Sequence, residues 1–302
     1  MKTNKNLLAA ILLGLSLSLT TVVPAFADNT DVSVQVNVQQ NAKGTVNWEK
    51  GADADIEAWG VGLPPANMPA NRGRALARRA AVVDAYRQLA EIAQGVQVDS
   101  ETTMRDLAIE SDVVNTKISA LVKGARIVEE KAEEDGSYTV KMSIPLYGVK
   151  SVAAVAIPEA HKDILLEAAP EISESYVPAP EVKAEAASYT GVIVDAAGLG
   201  LEGTFSPVIY DVNGRAIYGM RNIDKDYAIS HGMVEYSNDL QAASANSRAG
   251  ANPLVVKAVS VRGGGNSVNP VNVVVSVEDG DKILYANEKS SMLENKAVVF
   301  VK

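Results

Sequence analysis

Residues 71–95, NRGRALARRAAVVDAYRQLAEIAQG, form the longest strongly periodic stretch of the sequence. Ala75, Val82, Val83, Tyr86, Leu89, Ala90 and Ala93 recur at helical spacing, and Arg74, Asp84, Gln88 and Glu91 take the opposite side. Asn71 is placed to cap the start, and Gly95 to stop the chain in a left-handed turn. A helix of this length rises ~35 Å, enough to cross a small sheet. The first domain is expected to be built on it.

Residues 1–27 read as a leader rather than as fold. Lys2 and Lys5 give a basic start, residues 7–19 an apolar run, and Ala25-Phe26-Ala27 a cleavage signal. The run is too short for a spanning helix, and no later segment is long and apolar enough for one. Cleavage after Ala27 is expected to leave a periplasmic chain of residues 28–302. Losing Lys2 and Lys5 takes the net charge of −9 to about −11, which opposes nucleic-acid binding, since that needs a basic face. The chain has no cysteine. Stability must then come from core burial alone, for which the length suffices. A lipid anchor of the lipoprotein kind is not expected either.

Residues 28–44, with Val32, Val34, Val36 and Val38 alternating with polar residues, read as an edge strand or a loose N-terminal segment. Residues 46–51 and 56–61 read as a strand pair anchored by Trp48 and Trp59. Pro64, Pro65 and Pro69 then lead into the long helix. Residues 96–104 are a strand candidate. A second amphipathic helix carries Val114, Ile118, Leu121 and Val122 and stops at Gly124. Strands 126–134 and 137–145 flank Asp135-Gly136, a hairpin signal. The order β-β-α-β-α-β-β predicts, for residues 45–156, an α+β domain with helices on one face of an antiparallel sheet.

Between 157 and 187 the composition shifts. Pro158, Pro170, Pro178 and Pro180 stand among Glu, Ala and Lys, which reads as a linker holding at most a short helix over 161–169. Residues 188–302 read as a second, α/β module. It opens with a strand over 191–196 and a hairpin of 207–211 and 215–218 about Asn213-Gly214. A helix is expected over 239–247. Residues 254–261 and 271–277 are continuous apolar runs of the kind buried on both faces. Helix 278–293 and strand 297–301 suggest a closing β-α-β crossover in a mixed sheet. The fold class is α+β in two domains, each a mostly antiparallel or mixed sheet with helices packed on it.

Three stretches of the first domain, ARRAAVVDAYRQLAEIAQGVQV (77–98), VKGARIVEE (122–130) and DGSYTVKMSIPL (135–146), resemble the Lpp-twenty envelope lipoprotein domain. That domain is itself similar to the N-terminal part of flagellar assembly protein T and to a flagellar outer-ring lipoprotein. YTGVIVDAAGLGLEGTFSPVIYDVNGRAIYG (189–219), NPLVVKAVSV (252–261) and AVVFVK (297–302) resemble the C-terminal module that accompanies it. The resemblance implies an exported, envelope-associated protein; several members serve flagellar basal-body assembly or motility. This chain departs from the lipoprotein members in lacking the lipidated cysteine. The motif is mostly core pattern, so it carries fold better than function.

No catalytic, cofactor-binding or metal-binding residue is assigned. Arg72, Arg74, Arg78, Arg79 and Arg87 share one helix, either as an anion-facing patch or as a solvated face with i,i+4 pairs. Arg79 falls on the expected apolar stripe between Ala75, Val82 and Tyr86, where a guanidinium must snorkel to solvent or find a carboxylate partner. His161 and His231 lie in different domains. Asp224 with Asp226, and Glu278 with Asp279 and Asp281, lack the full calcium-loop spacing. Residues 198–203, GLGLEG, precede a strand rather than a helix, and Gly263-Gly264-Gly265 has no lysine to complete a phosphate cradle. No nucleophile elbow or triad is readable. The expected function is that of a non-enzymatic periplasmic envelope protein, a structural or assembly factor for a flagellar or other envelope complex. Its expected partners are envelope or basal-body proteins or further copies of itself, through sheet edges and the long helix. The alternative is a soluble module binding a small ligand or peptidoglycan fragment in the cleft between the two domains.

Overall fold

The computed structural model describes residues 43–160, 169–263 and 268–302. The leader, the alternating segment before residue 43, His161, residues 161–168 and Gly264-Gly265 lie outside these.

The first layer is an antiparallel sheet of β1 (Gly44–Asn47), β2 (Asp55–Gly62), β3 (Arg126–Ala132) and β4 (Tyr138–Pro145), in the order β1-β2-β4-β3. The long helix α1 (Ala70–Gly95) lies across β2 and β4. β2 explains how it fits. Its inward residues shrink along the strand from Ile56 to Ala58, Gly60 and Gly62, all buried. The helix answers with Gly73, Ala77, Ala81 and Ala85. A side chain at Gly60 would lie 2.1 Å from the Ala81 carbonyl oxygen, and one at Gly62 1.9 Å from that of Ala77. Backbone therefore rests on backbone at this end. Farther along, the larger Ile56 of β2 and Leu89 of α1 are both fully buried in the same core.

This contact corrects the expected face of α1. The buried stripe is Gly73, Ala77, Ala81, Ala85, Gln88, Leu89 and Ala93, while Ala75 is exposed and Val83 is 68% exposed. Small residues make the closest contact with the sheet, because only they allow so close an approach. Leu89 and Ala93 of the expected stripe are buried as well, Val82, Tyr86 and Ala90 pack half-buried against the core, and Ala75 and Val83 turn outward. Asp84 and Gln88 are correspondingly not on the solvent side. Asp84 accepts a hydrogen bond from the Val61 amide at 3.1 Å, and Gln88 one from the Lys43 amide at 3.0 Å. Burial tends to raise the Asp84 pKa, but the Val61 amide and Arg87 outweigh it and hold the carboxyl below its ordinary value. Arg79 is exposed rather than set among apolar groups. Arg79→Met is accordingly expected to move the urea midpoint no more than Arg74→Met, each by under about 0.5 kcal/mol. A larger loss for Arg79→Met would restore the expected phase.

Other boundaries also move. The helix starts at Ala70 after Pro69, so Asn71 lies inside its first turn. β1 ends at Asn47, and residues Trp48–Asp53 are 3₁₀ turns with Gly51 at φ +58°. Residues 96–104 are not a strand: they make a tight bend with one bridge, Gln97 to Thr103. Thr103 then caps α2 (Met104–Glu110) in a reciprocal box with Asp106, ahead of α3 (Asp112–Lys123). The β-β-α-α-α-β-β order replaces the expected one.

Beyond α4 (Ala153–Ala160) and α5 (Pro180–Glu185), two four-stranded sheets follow. One is mixed, in the order β10 (Ser260–Arg262), β11 (Asn272–Val275), β6 (Ile209–Asp211), β7 (Ala216–Tyr218). The other is parallel throughout, in the order β8 (Glu235–Ser237), β12 (Val298–Val301), β5 (Gly191–Asp195), β9 (Pro253–Lys257). A parallel sheet needs both faces covered. Val192, Val194, Val298 and Phe300 face the main core, and Ile193, Val299 and Val301 pack with Ala243 of α7 (Leu240–Ser244) and Ala249. This is why β5 and β12 are apolar at successive positions. β9, expected to be buried on both faces, is instead an edge strand with Val255 and Lys257 exposed. α8 (Val277–Ser290) joins β11 to β12, which belong to different sheets, so the expected crossover within one sheet is not formed.

One buried cluster runs through all three sheets. At its centre Trp48 and Tyr147 of the first layer meet Phe205 and Tyr236 of the C-terminal part, with Trp48–Phe205 centroids 5.0 Å apart and Trp48–Tyr236 5.7 Å. The backbone is pared to fit them. A side chain at Gly203 would lie 2.4 Å from the Trp48 indole, and one at Gly232 (φ +73°) 2.7 Å from the Tyr147 ring. No helix among the described residues is long and apolar enough to cross a membrane.

Candidate functional site

The described residues weighed for chemistry are not gathered at one place. Arg78 pairs with Glu130 on β3 at 2.8 Å, and Arg87 with Asp84 at 2.7 Å, so two of the five helix arginines are engaged in structure. His231 ends α6 (Lys225–His231), stacked on Tyr227 at 4.7 Å. Asp224 accepts from the amides of Asp226 and Tyr227 and so caps α6. Asp279 bonds Ser276 and Lys282 at the start of α8. Among the described residues no three His, Asp or Glu side chains are grouped to hold a metal.

Asp281 alone of the acidic candidates is deeply placed, 2% exposed, and no local motif marks its partner. It takes Arg215 Nη1 at 2.8 Å and the Ser173 amide at 3.0 Å. Arg215 Nε donates to buried Asp211 at 2.9 Å, and Nη1 also donates to the Glu171 carbonyl. Burial pushes the Asp281 pKa up, but the Ser173 amide and the guanidinium outweigh it and hold the carboxyl below its ordinary value. The network ties residues 171–173 to α8 and the β6–β7 turn; its geometry is that of a structural clamp. Arg248 is a second clamp, donating to the carbonyls of Lys296, His231, Gly232 and Met233 at 2.7–3.0 Å.

A cleft of about 360 Å³ lies where the two parts of the chain meet. Its walls are β1 (Gly44, Thr45, Val46) with Trp48, the end of α1 (Glu91, Ile92, Gly95) with Gln97, and Leu201, Glu202 and Gly203 with Lys302. Each wall has a local cause. Gly44 lets β1 approach α1, since a side chain there would lie 2.3 Å from the Ile92 methyl. The positive φ of Gly198 and Gly200 turns the GLGLEG stretch back over the cleft. Lys302 is engaged with Glu49 at 3.4 Å. Sequence reasoning named the junction but not these residues, because none forms a local motif. A second, more apolar groove of about 570 Å³ lies between α3 and α4, with Lys117 and Lys150 among its walls.

Together these features define an α+β protein in which a helix-covered antiparallel sheet is locked by aromatic side chains to a two-sheet C-terminal module, with an open cleft at the seam. More particularly, residues 191–302 match the family model described as the second domain of Tp0624 from Treponema pallidum. The match opens at the first residue of β5 and takes in both C-terminal sheets. No curated protein matches the chain.

Proposed function

We propose that this protein is a non-enzymatic, periplasmic component of the cell envelope, a structural or assembly factor that holds other envelope proteins through its strand edges and long helix. The observation that carries this reading is β3. It is the edge of the first sheet, and all seven of its residues are exposed, including Ile127 and Val128. Arg78–Glu130 joins it to the outer face of α1, where Val83 is exposed, so strand edge and helix present a shared surface. The bulge between Ile127 and Glu129 and the charges of Arg126, Glu129, Glu130 and Lys131 guard the edge against indiscriminate pairing. The leader pattern of residues 1–27 and the resemblance to the Lpp-twenty family support export and an envelope role, flagellar or other.

The cleft favours a second reading, a soluble module for a small ligand or peptidoglycan fragment. Size-exclusion chromatography with light scattering of the native protein separates the two. An assembly factor is expected at a mass well above that of one chain, alone or with its partners, and a solute-binding module at the mass of one chain. Mass spectrometry is expected to show a mature chain beginning after Ala27; an intact Met1 would sink the periplasmic reading.

A further inference from the structure

The cleft at the seam is bounded by a strand edge whose outward hydrogen-bonding groups make no bond among the described residues. β1 is the outer strand of its sheet. The Trp59 amide donates to the Lys43 carbonyl, and the register continues as Gly44↔Ala58, Thr45↔Glu57, Val46↔Ile56. In an antiparallel pair, residues alternate between bonding the partner and pointing away from it. Lys43 bonds β2, so Gly44 and Val46 direct their N–H and C=O groups outward, and both residues line the cleft.

Two further observations say what would sit there. The Trp48 side chain is 94% buried, being 6% exposed, yet its indole N–H makes no hydrogen bond among the described residues. The fully buried side-chain atoms lacking a partner there are Ser206 Oγ and Arg215 Nη2. The indole nitrogen is not among them, and Trp48 lines the cleft beside Gly203, so its N–H is the donor available there to a carbonyl of an incoming segment. The charges then choose the side chains. Lys302 is taken by Glu49, whereas Glu91 and Glu202 line the cleft with no ion pair among the described residues.

We propose that this cleft receives an extended segment of another protein, added as a strand on β1 and carrying a cationic side chain between Glu91 and Glu202. Strand addition draws affinity from main-chain bonds and specificity from alternate side chains. The inference deepens the assembly reading and rests on it for its biological setting, but not for its test. The chain's own residues 28–40 are a poorer occupant on charge: they bring Asp28 and Asp31 and no lysine or arginine.

Fluorescence anisotropy of the full mature chain with a labelled nine-residue peptide alternating valine and lysine tests it. The peptide is expected to bind, and one alternating valine and glutamate to bind at least tenfold more weakly. Two further valine–lysine peptides, N-methylated on odd or on even amides, are expected to differ at least tenfold, because only one set of amides faces β1. Glu91→Gln with Glu202→Gln is expected to weaken binding about fivefold without moving the unfolding midpoint. Absence of binding, equal binding of the two N-methylated peptides, equal binding of the glutamate peptide, or indifference to the double substitution would each overturn the proposal. So would binding that appears only after residues 28–40 are deleted, since the edge would then be covered by the chain itself. Large native assemblies from a chain that fails this titration would sink the strand-addition inference alone and leave the assembly reading standing.

Discussion

Gly60→Ala is expected to destabilise the chain by ~3 kcal/mol or more, near the upper end for an overpacked site. The added methyl would lie 2.1 Å from the Ala81 carbonyl oxygen and 2.2 Å from the Ala85 amide nitrogen. Both are backbone atoms of α1, so no side chain can rotate away. The helix must lift from β2, and the close contacts along Ala77, Ala81 and Ala85 go with it. Gly95→Ala is the matched control: a methyl there meets nothing within 4 Å, and alanine is the better helix former, so stability should hold or rise by up to ~1 kcal/mol. Urea unfolding followed by circular dichroism reads both. Equal midpoints would mean that α1 does not rest on β2 as described.

Arg215→Met is expected to cost ~3–5 kcal/mol at pH 7, the usual penalty for stripping the partner from buried charge. Asp211 and Asp281, 1% and 2% exposed, would lose the guanidinium that binds them both. Adding Asp281→Asn should recover part of the loss, a coupling that a double-substitution cycle measures. The sign of the pH dependence follows from Asp281, whose folded pKa is depressed. Its contribution to wild-type stability is complete above the unfolded carboxyl value, about 4, and fades as pH falls through the lower folded value. Without Arg215 the carboxyl protonates more readily, so the gap between wild type and variant should narrow as pH drops below about 4. A gap that is constant from pH 7 to pH 3, or no loss at pH 7, would remove the clamp from the account.

The folding pattern of this chain was legible wherever the signal is local. Asp135-Gly136 and Asn213-Gly214 place turns because few residues take up a positive φ, and both glycines do so, each at φ +85°. The extent of α1, the amphipathic α3, and the strands β5 and β12 follow from periodicity and apolar runs. The cleft was legible only as a junction: no motif marks Gly44, Val46, Trp48, Glu91 or Glu202, which lie far apart in the chain.

What only the tertiary structure decided is which face each element turns inward and what it meets there. Periodicity put Val82, Val83 and Tyr86 of α1 inside, because bulk usually marks a core face. Here the closest contact falls to Ala77, Ala81 and Ala85, since Gly60 and Gly62 on β2 offer no side chains to pack against and only alanines let the backbones touch; Val82 and Tyr86 stay half-buried beside that contact and Val83 is exposed. Arg79 changed from a buried ion to a surface residue by that rotation alone. In the same way, the sequence alone determined that residues 271–301 would run strand, helix, strand. It could not say that β11 and β12 belong to different sheets, because the partner of a strand is set by hydrogen bonds to residues remote in the chain.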